Sequence, residues 1–206
     1  IGFVDPNGGK RASKAEKGHC EKQGDRMAVL DSPPAMGPTQ VQEWRSQVAM
    51  YDSKFATLYY PWIKVSNPFA KPDNDEPKML TVPPSGHLAG IWARNDATRG
   101  VWKAPANEVV RGVLDVEMKI TTVEQEQLNP IGVNCIRPFG TRGIRVWGAR
   151  TLSSNTDWTS RFSTARLFVT NATGLLISCA IPAESCPRLA IFSLCTSWRC
   201  VTWSSR

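Results

Sequence analysis

The spacing of apolar residues changes several times along this chain, and each change marks an element. Arg26 to Leu30 is a short apolar run entering Asp31-Ser32-Pro33-Pro34, the way a buried strand of a parallel sheet runs into a loop. Thr39 and Gln42 have capping-box spacing, and Val41, Trp44, Val48 and Tyr51 then share one face, which predicts a helix opening at Thr39. Thr57 to Val65 is rich in aromatic and β-branched residues and reads as a second strand, with Pro61 placing it near an edge or bulge. Asn67 to Lys78, with Pro68, Pro72, Pro77 and several charges, reads as a solvated loop before a brief strand at Met79 to Val82.

The chain is organised around the stretch that follows. Pro83-Pro84 interrupts regular structure, and Ser85 is placed to cap a helix. Along that helix Gly86, Gly90, Ala93 and Ala97 form a stripe with little side-chain bulk, flanked by Leu88, Ile91 and Trp92. Two helical glycines cost up to about 1 kcal/mol each relative to alanine, so the stripe predicts a surface packed closely against it.

Further on, Val109 to Lys119 reads as extended chain broken at Gly112, and Thr121 with Glu124 has the spacing of a second capping box, for a short helix stopped by Asn129-Pro130. Val133 to Arg137 and Ile144 to Leu152 alternate apolar and polar residues around Phe139-Gly140-Thr141-Arg142-Gly143, which predicts a β-hairpin. Lys10 to Lys22 is polar, and its pattern assigns no element. The alternation of strands and helices predicts an α/β fold with helices on a parallel or mixed sheet, then a small α+β region carrying the hairpin.

Composition narrows the function classes. The 206 residues are 41% hydrophobic, enough for a buried core, and carry a formal net charge of +7. The basic residues are scattered and form no run interleaved with aromatics, which argues against a nucleic-acid-binding module. Cys20, Cys135, Cys179, Cys186, Cys195 and Cys200 show no Cys-x-x-Cys pair and no histidine at zinc-finger spacing, so no metal site is expected. The sequence shows neither a secretory leader nor an apolar run of the roughly 20 residues that span a bilayer, so free thiols in a reducing cytoplasm are the expectation. Ile1 is not an initiator methionine, and Asp5-Pro6-Asn7-Gly8-Gly9 reads as a turn in mid-protein, as in a fragment of a longer chain.

Candidate chemistry is sparse. Gly9-Lys10 lacks the rest of a phosphate loop, since Val4 stands where a glycine and Arg11 where a Ser or Thr is needed. His19-Cys20, if in a strand, would point to opposite faces. Ser85 and His87, with Asp31 or Asp96 elsewhere, are the residues from which a serine hydrolase would be built. No Gly-x-Ser-x-Gly elbow surrounds any serine, however, and no paired carboxylates, HExxH motif or dinucleotide glycines occur. No catalytic, cofactor-binding or metal-binding residue is assigned, and no enzyme is expected.

Pro83-Pro84-Ser85-Gly86-His87-Leu88-Ala89-Gly90-Ile91-Trp92-Ala93-Arg94-Asn95-Asp96, then Arg99-Gly100-Val101-Trp102-Lys103-Ala104-Pro105-Ala106-Asn107, resembles the signature of contractile tail sheath proteins of tailed phages and related injection machines. The resemblance runs from about residue 24 to 157 and includes Tyr59-Tyr60-Pro61-Trp62 and Val146-Trp147-Gly148-Ala149-Arg150-Thr151-Leu152. It implies a partial subtilisin-like domain over residues 26–118, the start of a C-terminal sheath domain over 119–158, and a truncated segment over 1–25. The implied role is a structural subunit that polymerises around an inner tube and contracts to drive it through a target envelope. The implied partners are other sheath subunits linked by strand exchange at the 133–152 hairpin edge, the tube protein, and baseplate and terminator proteins. No small-molecule substrate, nucleic acid or membrane insertion is implied, and assembly in a host or bacterial cytoplasm is. A hydrolase remnant on a subtilisin-like scaffold and a basic nucleic-acid-binding module are the alternatives.

The resemblance stops near Trp158. Beyond it Glu184 is the only acidic residue, no lysine occurs, and Cys179, Cys186, Cys195 and Cys200 cluster. Two accounts of residues 159–206 stand, a divergent β-rich tail and an out-of-frame translation.

Overall fold

A computed structural model describes residues 10–70, 77–154 and 176–179, with side chains over 14–70 and 77–154. Its frame is a five-stranded sheet in the order β7-β6-β2-β1-β8. The strands are β1 (Arg26–Asp31), β2 (Ala56–Tyr60), β6 (Val133–Pro138), β7 (Ile144–Trp147) and β8 (Leu176–Cys179). β1, β2, β6 and β8 run parallel and β7 returns antiparallel along β6, so the sheet is mixed. A second sheet, ordered β4-β3-β5, is antiparallel and comprises β3 (Ile63–Ser66), β4 (Met79–Val82) and β5 (Val113–Val116).

The large sheet is buried on both faces, which is why its strands read as continuous apolar runs. Ala28 and Leu30 of β1, Ala56, Leu58 and Tyr60 of β2, and Val133 and Cys135 of β6 face one core with Cys20, Val41, Trp44 and Leu128. Cys20 comes from α1 (Lys10–Gln23), Val41 from α2 (Pro38–Glu43), and Leu128 from α4 (Thr122–Leu128). The alternate residues Met27, Val29, Tyr59 and Ile136 face a second core. That core is closed by α3 (Ser85–Arg99) and by the inner face of the small sheet, Ile63, Val82 and Val116. Residues on both sides of position 118 thus share one sheet.

Several local expectations shift. Residues 10–23, which the pattern left unassigned, form α1, and its His19 and Cys20 lie in a helix, not a strand. Cys20 is buried, and His19 Nε2 lies 3.1 Å from Arg26 Nη1. α2 opens two residues earlier than the Thr39 cap predicts: Pro38 takes the first helical position, and Gln40 Oε1 accepts from the Gly37 N–H at 2.9 Å. The turn then widens into a π-helical stretch, Trp44–Ala49, ended by Met50 at φ 37°. Val41, Trp44 and Tyr51 are nevertheless buried together, as the periodicity requires. The run from 57 to 65 is two strands in two sheets. Pro61 cannot donate to a ladder, and the chain leaves the large sheet there through a cis Tyr60–Pro61 bond. β2 is consequently an interior strand between β1 and β6 and not an edge.

The second capping box holds as read: Thr121 Oγ1 accepts from the Glu124 N–H at 3.3 Å, and Glu124 Oε2 accepts from the Thr121 N–H at 2.7 Å. The hairpin also forms, with Ile136 opposite Val146, although β7 ends at Trp147. Of the segment beyond Trp158, the structure describes only the backbone of β8, parallel to β1. The other expectations for residues 159–206 lie outside the described residues.

Candidate functional site

The joint between β4 and α3, which carries Ser85 and His87, has the geometry of a buried clasp. Ser85 is not the cap. It is the first residue of α3, fully buried, and its backbone N–H donates to Asp31 Oδ1 at 2.9 Å. The carboxylate at the end of β1 therefore caps a helix that lies 54 residues further along the chain. Burial pushes the Asp31 carboxyl up to about 8, against the opposing pull of its hydrogen bonds from Ser85. His87 is half-buried, and burial holds its imidazole below the ordinary value. Asp96 is eleven residues from Ser85 on one helix, about 16 Å away at 1.5 Å per residue. Asp31 and Ser85 are thus brought together, Asp96 is not, and a hydroxyl with no exposed surface offers a substrate no line of attack.

The small-residue stripe is on the opposite face. Leu88, Ile91, Trp92 and Asn95 face the core, while Gly86, Gly90, Ala93 and Ala97 are exposed. No atom lies within 4 Å of a Cβ built on Gly90, so the expected close neighbour is not found among the described residues.

The residues that follow α3 are stapled back onto it. Asn95 Nδ2 donates to the Lys103 carbonyl at 2.7 Å, and Arg94 Nη2 to the Val109 carbonyl at 3.0 Å. Glu108 draws in Arg94, Arg99 and Lys103 at 3.9, 3.3 and 3.8 Å. Segment 107–110 then lies along the free side of β7. Asn107 N–H bonds the Val146 carbonyl at 2.7 Å, Val146 N–H the Glu108 carbonyl at 3.0 Å, and Val110 N–H the Ile144 carbonyl at 2.9 Å. The edge expected to take a donated strand is thus largely taken: the outward carbonyl of Ile144 and both outward backbone groups of Val146 are already paired within the chain.

Past Trp147 the chain is locked by Asn134 on the neighbouring strand. Its Nδ2 donates to the carbonyls of Leu58 and Arg150 at 3.2 and 2.9 Å, and its Oδ1 accepts from the Arg150 N–H at 2.7 Å. Gly148 makes room for this: a Cβ there would sit 2.8 Å from Asn134 Oδ1. Tyr59-Tyr60-Pro61-Trp62 is held in the same manner, with Tyr60 Oη donating to the Met36 carbonyl at 2.8 Å and Trp62 Nε1 to that of Ser32 at 2.7 Å.

The hairpin presents a further surface that the core does not use. On the hairpin, Arg137 and Arg142 sit 5.5 and 5.3 Å from the Phe139 ring centre, and that ring packs on Trp147 at 4.7 Å. Arg145 Nη1 donates to the Asn107 carbonyl at 2.8 Å. Beside them a cavity of about 350 Å³ opens between α4 and the end of β7, lined by Asn107, Gln125, Asn129, Trp147 and Arg150 among others.

The motif blocks spend their polar side chains on backbone groups of the same chain. The chain belongs to the phage tail sheath family: the family model of the phage tail sheath protein central domain matches residues 11–152. It is 30% identical over 138 residues to a putative prophage major tail sheath protein of Pseudomonas aeruginosa (strain UCBPP-PA14), a match covering 64% of this chain and 33% of the relative. It is 29% identical over 137 residues to the tail sheath protein of Burkholderia phage BcepMu, covering 61% of this chain and 27% of the relative. The chain thus spans about a third of the length of the curated relatives it matches. Among solved structures, it resembles the contracted helical sheath of the anti-feeding prophage (TM-score 0.64, 32% identity, 82% of this chain and 42% of that one). It also resembles the contracted sheath complex of the extracellular contractile injection system PVC (TM-score 0.58, 34% identity, 70% and 38%).

Proposed function

We propose that this chain is a structural subunit, in whole or in part, of a contractile tail or injection-machine sheath, polymerising around an inner tube and shortening to drive it through a target envelope. The carrying observation is the match to sheaths in their contracted, helical state over most of this chain. A resemblance to subunits of the anti-feeding prophage baseplate supports a place beside the baseplate as well. On this reading the expected boundary between a subtilisin-like part (26–118) and a C-terminal sheath part (119–158) does not divide the sheet, which joins β1 and β2 to β6 and β7 in one α/β unit, and the protein is not an enzyme. Partners are further sheath subunits, the tube and its terminators, met during assembly in a cytoplasm.

Strand exchange between subunits is part of the proposal, and the pairing of β7 qualifies it. A donated strand at that edge must first displace segment 107–110, whose bonds to Ile144 and Val146 it would replace. The test is co-expression with a full-length sheath subunit and its tube protein, followed by gradient sedimentation and negative-stain microscopy. The chain should travel with tubular particles. Recovery only as free chain, while sheaths form without it, would overturn the reading.

A further inference from the structure

With the backbone edge of β7 occupied, what the hairpin offers a neighbour is side-chain charge. Residues 127–156 contain Arg137, Arg142, Arg145 and Arg150 and not one Asp, Glu or Lys. Among the described residues none of these four guanidinium groups is in an ion pair, whereas Arg94, Arg99 and Lys103 all converge on Glu108. Three of the four are also held in place. Arg137 is tied to Gln125 and Thr122, Arg145 to Asn107 and the Arg142 carbonyl, and Arg142 lies over Phe139. Fixing these side chains before contact removes part of the entropy that an exposed ion pair normally loses. The adjoining cavity is lined by Asn107, Gln125, Asn129, Trp147 and Arg150 among others, and its volume is within the range of ligand sites.

We propose that this arginine surface docks an acidic segment of a second copy of the chain, Asp73-Asn74-Asp75-Glu76. This rests on the sheath reading, since an open helical array of identical subunits needs two different patches on each subunit that fit one another. Three acids in four residues make this the densest acidic stretch of the sequence, and it matches the density of unneutralised arginine on the hairpin. Bidentate guanidinium–carboxylate pairing supplies the geometry.

The test is sedimentation velocity on the full 206-residue chain over a concentration series. Association at 50 mM NaCl should weaken about tenfold at 500 mM, as screened surface charge requires. Arg142→Glu and Asp75→Arg should each weaken it by about tenfold, and the double variant should recover to within about threefold of the parent. Arg142→Gln provides a milder check, and thermal melts establish that each variant is folded. The proposal would be overturned by no self-association at low salt, by variants indistinguishable from the parent, by no recovery in the double variant, or by a single-stranded oligonucleotide displacing the second copy. Charge variants that still enter sheath particles like the parent would refute this contact and leave the sheath reading intact. A chain that enters none would count against the sheath reading itself.

Discussion

Two glycine-bearing segments of this chain invite opposite readings, and the structure reverses them. In α3, Gly86 and Gly90 at helical spacing suggest a surface pressed against the backbone, yet both are exposed, and no atom approaches within 4 Å of a Cβ placed on Gly90. At the end of β7, Gly148 sits in an irregular stretch where a glycine attracts little notice. There a Cβ would lie 2.8 Å from Asn134 Oδ1 and 3.1 Å from Asn134 Cα. The difference teaches that periodicity reports which residues share a face, but not what stands opposite that face. Only a neighbour distant in sequence makes a glycine necessary.

The largest expected effect falls on the tight site. Asn134→Ala removes one side chain that serves Leu58 and Arg150 together and leaves buried backbone groups without partners, a loss of about 3 kcal/mol or more in chemical denaturation. Gly148→Ala forces the same side chain aside and should cost about 1–3 kcal/mol. If its melting temperature matched the parent's, the contrast between the two segments would collapse.

Asp31 tests the clasp between β1 and α3. Its folded carboxyl is raised to about 8 from a value near 4 in the unfolded chain, so the native state binds the proton more tightly. The stabilising contribution is full below pH 4 and disappears as pH rises towards 8. Asp31→Asn keeps an acceptor for the Ser85 N–H without the buried charge, so it should melt higher than the parent at pH 8, by the equivalent of about 1 kcal/mol or more, with the gap closing at pH 4. A gap that grows as the pH falls would contradict this assignment.

The loose site gives the smallest change and the opposite sign. Gly90→Ala should stabilise the isolated chain by about 0.5–1 kcal/mol, because alanine suits an exposed helical position better than glycine. Destabilisation would mean that something does cover the stripe. Beside these, Cys20 and Cys135 are buried, and burial pushes both thiols up to about 12. Site-resolved labelling with a thiol reagent at pH 8 should leave both unmodified until the chain unfolds.

Much of the layered architecture could be read from local pattern. β1, the helix from Ser85 to Arg99, the Thr121–Glu124 capping box and the β6–β7 hairpin each depend on interactions within a few residues or on a strand's own run of apolar side chains. α1 was not legible, because a polar helix that sends a residue such as Cys20 into the core has too narrow an apolar stripe to stand out. The split at Pro61 was not legible either, since which sheet each half joins depends on β6 and β5, more than 40 residues away.

The candidate surfaces divide along the same line. The sequence by itself determined the buried run of β1, the helix after Pro84, the second capping box, the hairpin and the sheath-like order of blocks, because propensity and periodicity are local quantities. Tertiary structure alone decided that Asp31 caps α3, that Asn134 makes Gly148 necessary, that residues 107–110 close the edge of β7, and that the stripe of small residues faces outward. Each of these is a pairing between distant segments, and a side chain's identity does not say which backbone group the fold will bring within 3 Å of it.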